Sequence, residues 1–102
     1  MYGVITTVRA PVEMYDAAHA GITRRVGTSV DGLLVHVGRA TSDGFWTLEV
    51  WESKEQYDRA ITDIVVPVMR ELAGDQPQPS VEQAMETFDV RGLVIPRGDI
   101  VI

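Results

Sequence analysis

Cysteine is missing from all 102 residues. Its absence removes disulfides, thiolate metal sites and thiol nucleophiles, and leaves the redox compartment undecided. Long apolar runs are missing too. No stretch approaches the ~20 residues that a membrane helix needs, and Met1-Tyr2-Gly3-Val4-Ile5 puts no basic residue ahead of its apolar ones, so a cytoplasmic protein is expected. Positive charge is scarce, with 9 Lys/Arg against 15 Asp/Glu and Arg24-Arg25 as the one basic pair. Such a surface repels phosphate backbones and anionic bilayers, so neither nucleic acid nor membrane is an expected partner. The nine glycines form no GxGxxG or phosphate-loop pattern. The two histidines lack the close HxH or HxxE spacing of a metal site, so no metal is expected.

What is present is a strongly punctuated chain. Tyr2 to Arg9 is rich in Val, Ile and Thr and stops before Pro11, which reads as a strand with the proline in the first turn of a helix. Val12, Tyr15, His19, Ile22 and Val26 step by three and four along one helical face, and Gly27 ends the run. Asp31-Gly32 turns into a strand from Leu33 to Arg39. Thr41 to Gly44 is a hairpin turn into Phe45 to Trp51. Ser53 and Gln56 form a capping box for a helix with Tyr57, Ile61, Ile64, Val65, Val68 and Leu72 on one stripe. Pro67 should bend that helix near Asp63, and Gly74 should stop it. Gln76-Pro77-Gln78-Pro79 reads as a linker, Met85 to Ile95 as the last strand, and Arg97-Gly98-Asp99 as a turn.

The order βαββαβ predicts an α+β, ferredoxin-like domain over residues 1–95: one four-stranded antiparallel sheet with both helices on one face. A tail, 96–102, follows. The sheet's second face would carry Val35, Val37, Trp46, Leu48 and Val50, a patch larger than monomers usually leave wet. A homodimer with the two sheets facing each other is therefore expected, with the tail crossing the interface. The competing arrangement is a monomer with Ile100-Val101-Ile102 folded over that face.

Turn length decides which side chains share the other face. With a loop of two residues (Asp43-Gly44) or four (Thr41 to Gly44), even positions of the second strand pair with odd positions of the third. His36 then joins Phe45, Thr47, Glu49 and Trp51 beneath the helices, where His19 and Tyr15 descend from one stripe and Tyr57 from the other. Imidazole, carboxyl and phenol together can take a proton and donate to a developing oxyanion, and aromatic walls suit a flat apolar substrate. A histidine base implies activity that rises as imidazole loses its proton. Each residue also has a plainer reading: the tyrosines and His19 as core, His36 as a half-exposed edge residue, and Glu49 as an ion-pair partner of Arg9, Arg39 or Arg70.

The strand-to-helix corner Trp51-Glu52-Ser53, Tyr57 six residues after Trp51, the βαββαβ order and the proline in the second helix together resemble the antibiotic-biosynthesis monooxygenase family of dimeric α+β barrels. The resemblance covers nearly the whole chain. It implies cofactor-independent oxidation of polycyclic phenols to quinones, with Trp51 and Tyr57 at the matching site positions. The family's asparagine, four residues before the tryptophan, is matched by Thr47, which lacks the amide. Heme-degrading relatives carry a histidine ten residues after the tryptophan, where this chain has Ile61, so no heme or other cofactor is expected. Related barrels work as cyclases with a histidine-tyrosine pair. The resemblance thus implies an enzyme acting on an aromatic or polyketide-like small molecule. Its catalytic candidates are His19 or His36 as base, Tyr15 or Tyr57 as oxyanion donor, and Glu49. Its substrate-binding candidates are Trp51, Thr47 and Phe45. The alternative is a small-molecule-binding or stress-associated dimer without turnover.

Overall fold

The computed structural model describes residues 1–77, 80–98 and 100–102. The first strand, β1 (Tyr2–Arg9), leads through Pro11, the N-cap, into α1 (Val12–Val26). Pro11 thus sits one position earlier than a first-turn proline. A hairpin follows, β2 (Leu33–Thr41) and β3 (Gly44–Trp51), closed by Ser42-Asp43 between the paired residues Thr41 and Gly44. The second helical arm then runs as α2 (Lys54–Ala60), a π-helical segment (Ile61–Val65) and α3 (Val66–Ala73), and β4 (Glu82–Asp89) completes the sheet. Strand order is β2-β3-β1-β4, all antiparallel. This is the expected ferredoxin-like α+β fold.

Two local features show how the sequence produces it. Ser53 Oγ accepts from the Gln56 backbone N–H at 3.3 Å, which caps α2. The Gln56 side chain accepts from the Ser53 hydroxyl at 2.8 Å instead of closing the reciprocal half of the box. The expected bend near Asp63 takes the form of the π-helical segment, in which Val66 N–H bonds Ile61 carbonyl five residues back. Pro67 then stands in the first turn of α3, directly after that segment. Gly27 and Gly74 end the helices as expected. Leu72 is 45 % exposed, so the apolar stripe stops at Val68.

The last strand differs from the expectation. It begins at Glu82 and ends at Asp89 rather than running from Met85 to Ile95. The reason is register: Asp89 pairs with Tyr2, the first residue of β1, so the apolar stretch from Val90 has no partner strand to follow. Of the expected linker, Gln78 and Pro79 lie outside the described residues, as does Asp99 of the expected turn.

Val4, Val8, Phe45 and Trp51 fill the face under the helices, and Ala60 and Val68 meet them from above. A bulge between Leu33 and Val35 sets Leu33 opposite Trp51, so Leu33 packs into this core rather than onto the open face. On the open face Val37 is 44 % exposed, Val35, Trp46 and Leu48 are half-buried and Val50 is buried. The Phe88 ring lies across Gly3 there. The tail does not end on this face: Ile102 reaches the helix side, with its main-chain oxygen beside His19. Among the described residues no helix is long and apolar enough to cross a membrane.

Candidate functional site

The β2–β3 register sets His36 directly opposite Glu49. The two-residue loop gives the parity expected from the sequence, and it fixes a row of polar groups beneath the helices. His36 Nδ1 meets Glu49 Oε2 at 2.7 Å, and Trp51 Nε1–H donates to Glu49 Oε1 at 3.2 Å. From α1, Tyr15 Oη comes to 2.9 Å from His36 Nε2. The carboxylate can only accept, so in the neutral ring Nδ1 carries the hydrogen and Nε2 accepts from the phenol. The result is a continuous chain from Tyr15 through His36 and Glu49 to Trp51.

Three rings accompany this chain. Tyr15, His19 and His36 lie within 11° of parallel, with centroids 5.4, 5.7 and 6.0 Å apart. Such similar separations exclude a column, whose outer pair would stand much farther apart than its neighbours, so the rings form a triangle. His19 is its outer corner, and its Nε2 meets the Ile102 main-chain oxygen at 2.6 Å. The two histidines are thereby distinguished: both ring nitrogens of His36 are engaged within the cluster, whereas His19 Nε2 turns outward to Ile102.

The remaining candidates lie behind the row. Phe45 packs at a tilt on Tyr15, and Tyr57 meets Trp51 edge-on at 5.7 Å. Trp51 is 3 % exposed and Phe45 is also buried, so they form the apolar backing of the row. Thr47 stands between Gly38 and Thr6 on the same face. Glu49 is held by His36 and Trp51, not by an arginine; Arg9 bonds Asp43 and Glu82, and Arg39 lies over Trp46. Two further neighbours escaped the sequence reading. Tyr2 packs 5.5 Å from Tyr57, and strand parity with Val4 and Val8 was the available signal. Gly38 lies directly under the Tyr15 phenol, and the signal was a glycine two residues from His36 on one strand face.

Burial pushes the Tyr15 phenol above the ordinary tyrosine range, and the carboxylates of Asp16 and Glu49 push it further. Tyr57 is raised by burial first, then by Glu49, Tyr2 and Asp58, against a smaller opposing effect of Lys54. Both therefore remain protonated donors at neutral pH. A phenol whose folded value is raised stabilises the fold fully below the unfolded tyrosine value of about 10, and that contribution disappears as pH climbs through the raised value. Thermal unfolding should fall on the alkaline side, and Tyr15→Phe/Tyr57→Phe should flatten that decline; equal slopes would refute the coupling.

Among the described residues, no group of three His, Cys, Asp or Glu side chains is placed to hold a metal ion. Two shallow clefts, of about 160 and 220 Å³, open elsewhere, at Arg9/Asp43/Glu82 and at Asp31/Arg59/Asp63. The row itself is packed side chain against side chain.

No protein-family model matches the chain, and no curated protein matches it significantly. Solved structures do. A candidate antibiotic biosynthesis monooxygenase from Chloroflexus aurantiacus superposes with a TM-score of 0.60 and 26 % identity, covering 92 % of this chain and 97 % of the other. SnoaB, a cofactor-independent oxygenase from Streptomyces nogalater, gives 0.54 at 16 % identity over 94 % and 95 %. The ActVA-Orf6 monooxygenase of Streptomyces coelicolor, in complex with Nanaomycin D, gives 0.50 at 20 % identity over 94 % and 91 %. The chain thus has the ferredoxin-like α+β architecture of antibiotic-biosynthesis monooxygenase-like proteins, and structural neighbours of that kind include cofactor-independent oxygenases.

Proposed function

We infer that the protein is a homodimeric enzyme that oxidises an aromatic or polyketide-like phenol with molecular oxygen, its own side chains handling the proton. The observation that carries this reading is the Tyr15–His36–Glu49–Trp51 chain. A phenol and an imidazole share a hydrogen bond, and a carboxylate behind the imidazole fixes its tautomer, the arrangement general acid–base chemistry requires. The substrate lies at the outer, His19 corner of the cluster. There the Ile102 main-chain oxygen occupies a hydrogen-bond position that a substrate oxygen can take over. Removal of a proton from an activated ring carbon, through Tyr15 and His36, gives a carbanion that reacts with oxygen. For an anthrone methylene the balance is CH2 plus O2 giving C=O plus water. Trp51 and Tyr57 support the row from the apolar side, and Thr47 borders it.

The direct test is oxygen uptake with a hydroxylated anthrone, with quinone followed by absorbance. Stoichiometric oxygen consumption and quinone formation above the uncatalysed rate are expected. Ring-closed product from a linear polyketide analogue, without oxygen consumption, would assign the site to acid–base cyclisation. A ligand-dependent rise in melting temperature with no product would make the protein a binding module.

The dimer rests on the open sheet face. Fully burying side chains such as Val37, Trp46 and Leu48 is worth roughly 1.5–3 kcal/mol each, enough in sum to offset much of the cost of association. The solution mass should be twice the 11.3 kDa of one chain. Leu48→Glu should halve it with the helix content unchanged. A wild-type monomer by light scattering would remove the assembly.

A further inference from the structure

We propose that Gly38 is a positioning residue of the site: its bare backbone is the seat on which the Tyr15 phenol rests, and any side chain there breaks the Tyr15–His36 hydrogen bond. This inference deepens the acid–base reading above and depends on it for its functional consequence.

The geometry is specific. A Cβ built on Gly38 would fall on Tyr15 Oη and Cζ and lie 2.8 Å from Cε2. Those atoms are the polar end of the ring, not a flexible tail that can fold away. Gly38 sits two residues beyond His36 on β2, on the face beneath the helices, paired with Thr47. A phenol descending from α1 must cross this point for Oη to reach Nε2 at 2.9 Å. It has little freedom to avoid it, because its ring also packs on Phe45 and His19. Glycine inside a strand sacrifices side-chain packing, and close approach by another group is its common physical reason.

The chemical consequence follows from the donor and acceptor roles. With Oη displaced, His36 Nε2 loses its donor, while Nδ1 keeps Glu49 and the tautomer is retained. The imidazole stays correctly oriented but is cut off from the phenol. A purely structural glycine would not produce this selective effect.

The test compares wild type, Gly38→Ala and Tyr15→Phe by 15N NMR of the His36 ring and by near-ultraviolet titration of the tyrosines. In Gly38→Ala the Nε2 resonance should move to its position in Tyr15→Phe, with Nδ1 unchanged. The Tyr15 ionisation should shift toward the ordinary range as the ring moves outward. Oxygen uptake with the hydroxyanthrone should fall about tenfold or more in both variants. A Gly38→Ala protein whose His36 ring resonances match wild type overturns the proposal. Shifted resonances with no oxygen uptake in any form, wild type included, keep the proposal and overturn the enzymatic reading instead. If Gly38→Ala does not fold, the change is made in a Tyr15→Ala background. Folding restored there, with the melting temperature of Tyr15→Ala alone, supports the seat; equal loss in both backgrounds overturns it.

Discussion

Replacing Trp51 with alanine is expected to cost the fold about 3–5 kcal/mol, the range for removing a large aromatic from a packed interior. The indole is 3 % exposed, packs with Val4 and Ala60, and is met edge-on by Tyr57. Domains of this size have about 5–15 kcal/mol in total, so the variant should be partly unfolded or melt far below wild type. Trp51→Phe separates the apolar contribution from the polar one. It keeps an aromatic ring but removes the Nε1–H that bonds Glu49, and should cost about 1–3 kcal/mol because a half-buried carboxylate loses a donor. Urea unfolding checks both values. A Trp51→Ala midpoint close to wild type would contradict the placement of this side chain at the centre of the core.

The second large effect is on chemistry. Glu49 accepts from two donors, His36 Nδ1–H on one oxygen and Trp51 Nε1–H on the other. Glu49→Gln keeps the shape but turns one acceptor into a donor. If the amide nitrogen faces Trp51, two N–H groups oppose each other. If it faces His36, Nδ1 must give up its hydrogen, Nε2 becomes the donor, and Tyr15 can no longer donate to it. The second arrangement reverses the direction of the chain. Turnover of the hydroxyanthrone should fall by about 10²–10⁴, the usual contribution of a positioned acid or base, while the fold persists. The switch in tautomer is visible in the 15N shifts of His36. Full activity in Glu49→Gln would show that the carboxylate plays no part in proton handling.

Much of this architecture was legible because local chemistry and tertiary structure agree. Pro11, Gly27, Ser53 and Gly74 mark helix ends that the backbone respects. An even-length hairpin loop sufficed to bring His36 and Glu49 to one face, whichever two or four residues formed it. The end of the last strand is not legible because Val90 to Ile95 is apolar, and apolarity alone does not reveal that β1 begins at Tyr2 and offers no partner beyond Asp89. Strict alternation with Val35 and Val37 would set Leu33 on the open face, but a bulge shifts its register, a feature without a period of its own. For the site, residue types and faces were readable, but the contacts were not. That Glu49 would choose His36 and Trp51 over Arg9 or Arg39, and that Gly38 would lie under a phenol, depends on how α1 approaches the sheet. Helix approach is a packing outcome and leaves no mark in local spacing.

The fourth strand of the sheet is exposed along nearly its whole length, with only Phe88 half-buried. Its attachment therefore comes mainly from the hydrogen-bond ladder to β1 and from the Arg9–Glu82 contact at one end. A strand anchored this way opens alone, at a free-energy cost well below that of unfolding the rest. In deuterium exchange its amides should be labelled first, peeling from the Asp89 end, while the three strands beneath the helices stay dark.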